Sequence, residues 1–498
     1  MYYLAWTLVV LVVTFVFYKA NRRRYHFSER GIPQPFEWPF LGTSVENVFK
    51  GRHMNHILKD LYHLNKEAKY VGCHMFAERI VVVRDLDLIK TVLVKNFDHF
   101  SDRRSFVDVQ SDPLLGKNLA LLGGDEWREV RNLLSPAFTS SKMRGMFAPM
   151  NECAQRFTQL FVHLYKDEGE IDTKDAFSRY ANDVIATCAF GIEVDSLRDR
   201  DNRFYVAGKR CTDFQKIPVA KLVFMNGFPS LSRKLGLRLV SKPDTDYFVD
   251  IIETTIRTRE EKGITRPDML QIMMEARDTK SRESLLDITA QAFIFFLGGF
   301  ESIASQMCLI ANELAARPDV QRRLQDEVDA VMEKCSGKPS YEVVSNEMPY
   351  MDAVFSETMR LYPVSLLRRL ASEDFELPPA LPGCEPYVVR KGDGIFVPSC
   401  AIHADAGYFE DPEAFDPNRF LGKKFPLTGV TNLGFGMGPR VCIGNRFAVL
   451  ETKILFLHLL TKCSLELCQK SPVPFEYDRF SFVPNAKNGF WLKISPRK

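Results

Sequence analysis

The chain has 498 residues, of which 46% are hydrophobic and 26% are charged, and its formal net charge is only +3. This balance excludes an intrinsically disordered chain and a membrane protein with many spans. It gives no reason to expect nucleic acid as a partner, because nucleic-acid-binding domains are strongly basic. The 11 cysteines are scattered and no two have the C-x-x-C spacing, which excludes a disulfide framework and a zinc ribbon.

The amino terminus has the pattern of a membrane anchor. Residues 2–18 carry no charge, and a cationic cluster follows directly. An apolar run of this length lies at the short end of what spans a bilayer as a helix. The positive-inside rule places the chain after the cluster in the cytosol. We therefore predict a single N-terminal transmembrane helix. The cationic residues are Lys19, Arg22, Arg23 and Arg24.

A proline-rich segment follows, and prolines at this density keep a segment extended and stiff. No linker rich in Pro, Gly or Ser divides the chain further on. The sequence thus predicts a membrane anchor over 1–20, a basic and Pro-rich hinge over 21–44, and one cytosolic domain over 45–498.

Hydrophobic periodicity predicts a mainly α-helical body with a few strands. A hairpin is expected to pair residues 70–76 with residues 80–84, because the second run is rich in β-branched residues. Short strands are expected after residue 364 and near the carboxyl end. The predicted long helices cover 145–165, 172–190, 245–262, 286–316 and 319–335.

Residues 205–242 are locally basic, with eight Lys or Arg against one Asp, a net charge of +7. A solvated charged face and a surface resting on anionic lipid headgroups both account for this pattern.

The most informative segment is a Gly-rich loop around one cysteine, with Phe435, Gly438, Arg440, Cys442 and Gly444 in order. Glycines let a backbone approach a flat ligand, and free N–H groups at a helix start stabilise a thiolate. The arginine is suited to pair an anionic group of that ligand.

This segment resembles the F-x-x-G-x-R-x-C-x-G signature of the cytochrome P450 family, the haem-thiolate monooxygenases. Glu357 and Arg360 resemble the family's E-x-x-R pair, Pro417–Phe420 resembles its P-x-R-F element, and Trp127 with Arg131 resembles its W-x-x-x-R element. The motifs stand in the family's order, and the similarity covers nearly the whole chain. The resemblance implies the cytochrome P450 fold, a large helical domain with small β-sheets.

The resemblance also implies a haem b cofactor with the Cys442 thiolate as axial iron ligand, which favours O–O bond cleavage. Glu357, Arg360 and Arg419 would form a buried charge network on the haem side. The remaining cofactor-binding residues would be Trp127, Arg131, Arg369, Phe435, Gly438, Arg440 and Gly444.

The predicted helix over 286–316 carries the sequence GGFES at 298–302, which resembles the family's [AG]-G-x-[DE]-T element. By this resemblance, Glu301 and Ser302 are catalytic residues that deliver protons during oxygen activation. Ser302 stands where Thr is usual and lacks the methyl group that fixes the rotamer. Tight coupling of electrons to product is therefore left open.

The substrate pocket implied by the resemblance is apolar and rich in Phe, which fits a bulky lipophilic molecule. Each Phe taken alone is more often a core residue. The expected pocket residues are Phe106, Leu114, Phe293, Phe296, Leu297, Phe300, Leu366 and Phe480.

The motif style resembles insect members that oxidise plant toxins and insecticides by inserting one oxygen atom from O2. Electrons would come from NADPH through a cytochrome reductase, with cytochrome b5 as a further candidate donor. The enzyme would face the cytosol on the endoplasmic reticulum membrane.

Three alternatives remain for the function. They are the oxidation of an endogenous hormone or pheromone, a haem-thiolate isomerase or dehydratase that acts on peroxides, and a haem-based gas sensor or carrier. A cationic face for an acidic reductase, or a merely solvated cluster, is expected at Arg128, Lys423, Lys424, Arg446 and Lys453.

Overall fold

The structure is a computed structural model of the chain. It describes all residues except 1, 77, 106, 168, 214–216, 219, 220, 223, 226, 227, 280–283, 365, 366, 423–431, 480, 482 and 498. The described elements are mainly α-helical, as predicted. The helices are α1 Tyr2–Arg23, α2 Ser44–Val48, α3 Met54–His63, α4 Leu86–Lys90, α5 Pro113–Gly116, α6 Gly124–Leu134, α7 Ser140–Tyr165, α8 Thr173–Ile185, α9 Arg203–Thr212, α10 Pro229–Lys234, α11 Lys242–Lys262, α12 Met269–Thr279, α13 Leu285–Ala316, α14 Pro318–Lys334, α15 Tyr341–Asn346, α16 Pro349–Leu361, α17 Ser399–Ile402 and α18 Asn445–Lys462. The strands are β1 Tyr70–Met75, β2 Glu78–Val83, β3 Ile171–Asp172, β4 Arg368–Leu370, β5 Phe375–Leu377, β6 Tyr387–Val389, β7 Gly394–Phe396, β8 Cys463–Leu467 and β9 Trp491–Pro496.

The chain divides into two compact units. The first comprises Met1–Arg104, Val364–Glu413 and Thr428–Val441. It contains a four-stranded sheet in the order β1-β2-β7-β4, in which β2 and β7 are parallel and the other pairs are antiparallel. Its two hydrophobic clusters cover the sheet. The predicted hairpin is confirmed as β1 and β2.

The second unit comprises Ser105–Pro363, Ala414–Leu427 and Cys442–Lys498. It holds the long helices and a three-stranded sheet in the order β3-β9-β8. Helix α13 packs against α8, and α18 packs against α7. These two units do not correspond to the predicted division into anchor, hinge and enzyme domain, which stays a prediction.

The boundaries of α13 follow from local chemistry. Ser284 and Asp287 form a capping box, in which the Ser284 hydroxyl accepts the Asp287 N–H at 3.2 Å and the Asp287 carboxylate accepts the Ser284 N–H at 3.0 Å. Pro318 follows and is the first residue of the next helix, a position at which proline is favoured. The other predicted long helices are also confirmed: they correspond to α7, α8 with the π turn Ala186–Phe190, α11 and α14.

Helix α1 exposes apolar side chains along most of its length. Tyr3 is 91% exposed, Trp6 is 70% exposed and Leu11 is 61% exposed. Among the described residues, α13 is the helix that is long and apolar enough to cross a membrane. It lies mostly inside the protein, as a core helix does.

Candidate active site

The centre of α13 has one accessible face. Between Ile288 and Ala315 the helix is buried except for five residues, one of them a glycine, that follow a spacing of three and four residues. This spacing places them on one side of the helix. We call this face the open stripe, and it contains the two predicted catalytic residues. The open stripe consists of Ile294, Leu297, Gly298, Glu301 and Ser302.

The two catalytic candidates have different surroundings. The Glu301 carboxylate forms an ion pair with Lys174, with 2.9 Å between Nζ and Oε1. Burial raises the pKa of Glu301, but Lys174 and a hydrogen bond from Asn485 outweigh it, so the pKa lies below its ordinary value. The Ser302 hydroxyl donates to the carbonyl oxygen of Gly298, one turn earlier. The open stripe therefore presents an ionised carboxylate and a hydroxyl group side by side.

Three of the predicted pocket residues are buried. Phe293 and Phe296 have no exposed surface, and Phe300 is 2% exposed. They pack in an aromatic cluster in which neighbouring ring centroids lie about 5 to 6 Å apart. The neighbouring side chains cover them in this structure, and their contact with substrate stays a prediction. The aromatic cluster consists of Phe190, Phe204, Phe248, Phe293, Phe296 and Phe300.

The other predicted pocket residues that the structure describes differ in their exposure. Leu297 lies on the open stripe, whereas Leu114 in α5 is buried. Ile294 also lies on the open stripe but is absent from the predicted pocket residues. Its position four residues before Gly298, on the same side of the helix, was a signal that could have placed it there. The predicted pocket residues Phe106, Leu366 and Phe480 lie outside the described residues.

Cys442 differs from every other cysteine. All 11 cysteines of the chain are described, and Cys442 is the exposed one. It lies three residues before α18, and Gly444 is the N-cap residue of that helix. Most of the other thiols are buried, as expected of small core residues. The thiol predicted to bind iron is thus the accessible one.

The loop before Cys442 needs glycine at two positions. Gly436 and Gly438 have φ of 83° and 76°, a backbone conformation that favours glycine. A Cβ atom at Gly438 would also lie 1.9 Å from the carbonyl oxygen of Leu93. Phe435, at the start of this loop, is partly buried. The signature glycine therefore serves the close approach of two backbone segments.

Trp127 and Arg131 lie one turn apart on α6. Trp127 is buried and Arg131 is partly buried. Burial lowers the pKa of Arg131, and the charge of Cys442 acts in the opposite direction. Within the second unit, α6 thus carries two predicted haem-binding residues, and the negative charge of a Cys442 thiolate acts on one of them, Arg131.

In the first unit, two arginines of the predicted haem site are buried. Arg369, on β4, is 1% exposed, and Arg440 is 5% exposed. The pKa of Arg369 lies well below its ordinary value because of burial and then because of the cations Arg103 and Arg440. Its Nη1 donates to the carbonyl oxygen of Arg368 at 3.0 Å, but Nε and Nη2 have no partner in the part of the chain that the structure describes.

The Arg369 guanidinium fits a carboxylate-bearing cofactor. A buried cation with unused donors is costly unless an anion accepts its hydrogen bonds. The two propionates of haem supply such anions.

The predicted charge network is present in the second unit. Arg360 donates to both carboxylate oxygens of Glu357, at 2.7 and 2.8 Å, and both side chains are almost fully buried. The Arg419 guanidinium lies 3.4 Å from Glu357, and the Asp416 N–H donates to the same carboxylate at 2.9 Å. The network ties α16 to the Pro417–Phe420 turn.

One of the cations expected on the docking face is buried. Lys453 is 1% exposed and forms an ion pair with Asp352 at 2.8 Å, so its predicted surface role is wrong. Arg446 is exposed, and Arg128 pairs with Asp125 at 2.6 Å. Residues 423 and 424 lie outside the described residues.

The cytochrome P450 family model matches residues 33–492. The chain is 37% identical to cytochrome P450 9e2 of Blattella germanica, with 99% of this chain and 98% of the relative covered. It is 36% identical to probable cytochrome P450 9f2 of Drosophila melanogaster, with 97% of each covered, and 33% identical to probable cytochrome P450 6a21 of the same organism, with 98% of each covered. The chain therefore belongs to the cytochrome P450 family, whose members are monooxygenases that hold haem iron through a cysteine thiolate.

Proposed function

We propose that this protein is a membrane-anchored monooxygenase that inserts one oxygen atom from O2 into lipophilic foreign compounds such as plant toxins and insecticides. The observation that carries the proposal is the open stripe, where apolar side chains adjoin an acid and an alcohol on one face of a buried helix. No charged side chain other than Glu301 lies on this face, which suits a substrate held mainly by desolvation.

In this proposal, the chain holds haem through Cys442 as iron ligand. Arg369, Arg440, Arg131 and Trp127 would bind the propionates, and the unused donors of Arg369 support that role. The haem supplies the redox chemistry that activates O2. Phe435, Gly438 and Gly444 would shape the loop and the helix start around the thiolate.

The protein's own part in oxygen activation is proton delivery. Glu301 would take up protons from water and release them toward the Ser302 hydroxyl. Ser302 would hold its hydroxyl in place through its bond to the Gly298 carbonyl. The acid–alcohol pair supports monooxygenation over the rearrangement of peroxides, which needs no proton delivery.

The amino-terminal helix would anchor the enzyme in the endoplasmic reticulum membrane, with the catalytic domain on the cytosolic face. Exposed apolar side chains on α1 and the arginines at its end support this placement. The basic segment over 205–242 is partly neutralised by ion pairs, such as Arg210 with Asp244 and Arg233 with Asp108. Its contribution to membrane contact is therefore smaller than its net charge suggests.

Electrons would come from NADPH through a cytochrome reductase, with cytochrome b5 as a second donor. The exposed Arg446 supports a cationic docking face for an acidic partner.

The test is turnover of the purified full-length protein with reductase and NADPH on a panel of lipophilic plant toxins and insecticides. A mass gain of one oxygen that needs both reductase and NADPH supports the proposal. Hydroperoxide consumption without NADPH, and no oxygenated product, contradicts it and favours the rearranging class.

A further inference from the structure

The carboxylate of Glu301 belongs to a closed ring of four polar side chains from three separate segments. Lys174 lies near the start of α8, Glu301 and Ser305 lie one turn apart on α13, and Asn485 lies in the loop before β9. We call this set the Glu301 ring.

Hydrogen bonds close the ring with every distance in the ordinary range. Lys174 Nζ contacts Glu301 Oε1 at 2.9 Å and Ser305 Oγ at 2.6 Å. The Ser305 hydroxyl donates to Asn485 Oδ1 at 2.7 Å, and Asn485 Nδ2 donates to Glu301 Oε1 at 2.9 Å. The sense of each bond is fixed, because an ammonium group can only donate and a carboxylate can only accept.

The donors in the ring are fully used. An ammonium group has three N–H donors, and Lys174 has a third acceptor in the Glu301 carbonyl oxygen at 3.4 Å. The second N–H of the Asn485 amide donates to Ser481 Oγ at 2.9 Å. A satisfied network of this kind fixes the orientation of its members.

We propose that Lys174 and Asn485 are positioning residues that hold the Glu301 carboxylate by Oε1 and leave Oε2 to exchange the proton needed for oxygen activation. This inference rests on the proposed monooxygenase function. The protons balance, since Oε2 accepts a proton that reaches it from bulk solvent through water and passes the same proton on toward Ser302. The carboxylate then returns to its ionised form, and bulk solvent restores the proton of the water that donated it. Lys174 keeps its charge throughout.

Two observations support this role for Lys174 over that of a surface ion pair. Its side chain is 21% exposed, so solvent screens the pair only partly. It also binds the backbone carbonyl of Glu301, which fixes the main chain and the side chain of the same residue. Lys209 of α9 also lowers the pKa of Glu301, but its side chain is largely exposed and lies 3.5 Å from Asp175.

The test uses the full-length haem-loaded protein and four variants. Lys174→Met removes the charge, Lys174→Arg keeps it, and Asn485→Leu removes the amide at similar volume. Lys487→Met is the matched control, because Lys487 forms an exposed pair with Glu476 at 2.8 Å.

The first readout is the infrared band of the protonated Glu301 carboxyl group as a function of pH, assigned with Glu301→Gln. We expect Lys174→Met to move its midpoint upward by about one pH unit or more, because an opposite charge lowers a carboxyl pKa by roughly that amount. Asn485→Leu should move it in the same direction, and Lys174→Arg should keep it near the wild-type midpoint. The control should not move it.

The second readout is product formed per NADPH consumed. We expect a fall of about 10-fold in Lys174→Met, at the low end of what general acid–base groups contribute, and recovery in Lys174→Arg. An unmoved carboxyl band, or an unchanged product yield in both Lys174→Met and Asn485→Leu, overturns the inference. If the wild-type protein itself forms no NADPH-dependent product, the proposed function fails instead.

Discussion

Gly299 of α13 packs directly against Ile185 of α8: a Cβ atom at Gly299 would lie 2.4 Å from Ile185 Cδ1. The preceding residue, Gly298, has nothing within 4 Å of the same position. The two glycines of the GG pair thus serve different purposes. One lets two helices approach, and the other leaves room on the open stripe.

Alanine at these two positions should have opposite effects on stability. Gly299→Ala overpacks a buried contact, which typically costs about 1–3 kcal/mol and exceeds the gain of about 1 kcal/mol in helix propensity. Gly298→Ala should keep the gain of up to about 1 kcal/mol and weaken substrate binding, because its methyl group enters the open stripe. Chemical unfolding and substrate-induced spectral titration measure both effects. Equal stability changes in the two variants would contradict this assignment.

Removing Glu357 should prevent stable haem incorporation. Glu357→Ala leaves Arg360 buried without its carboxylate, and breaking a buried pair in this way costs about 3–5 kcal/mol. The measurement is haem content per protein together with urea unfolding. Glu347→Ala is the control, because Glu347 pairs with Lys334 at the surface and such pairs contribute about 1 kcal/mol or less. Recovery of normally loaded Glu357→Ala protein would refute the network's role.

Arg369→Met should affect the haem-free and haem-loaded proteins in opposite directions. Without haem, the change removes a buried cation with unused donors and should stabilise the protein by about 1–3 kcal/mol. With haem, it removes charge-assisted hydrogen bonds and should weaken haem binding by about 1.5–3 kcal/mol. Thermal unfolding of both forms and the rate of haem loss measure the two effects. Arg390→Met, at an exposed pair with Asp374, should change neither.

Glu451 should make the protein less stable as the pH rises. The side chain is fully buried, and neither carboxyl oxygen has a hydrogen-bond partner among the described residues. Burial raises the pKa of Glu451 well above its ordinary value of 4.5, so the folded state keeps the proton that the unfolded state loses. The stabilising contribution of the neutral buried carboxyl group is complete below a pH equal to the ordinary pKa of 4.5. Above that pH it falls by about 1.4 kcal/mol per pH unit, until the pH passes the pKa of Glu451 in the folded state.

Glu451→Gln should remove this pH dependence, because the amide stays neutral. The melting temperature of the variant relative to the wild type should therefore increase between pH 5 and pH 8. Glu466→Gln, at a half-exposed position on β8, provides the control. Parallel pH profiles for wild type and Glu451→Gln would show that the buried carboxyl group is not the cause.

Local patterns determined much of the fold and the chemistry. The spacing of apolar residues predicted the long helices because one face of each helix is buried, and the β-branched run predicted β2. The signature around Cys442 predicted the family because the chemistry needs specific residue types at fixed short spacings. Such signals lie within a few residues of one another, where the sequence is directly readable.

Long-range packing decided the rest. Periodicity places Phe296 and Leu297 on α13, but the neighbouring helices bury the first and leave the second on the open stripe. The sequence predicts Lys453 as a surface cation, but the fold buries it and places Asp352 2.8 Å from it. Lys174 lies 127 residues before Glu301, and no local pattern connects them. The sequence by itself thus determined which residue types and helices are present, whereas the tertiary structure decided which side chains are covered and which charges are paired, because both depend on contacts between distant segments.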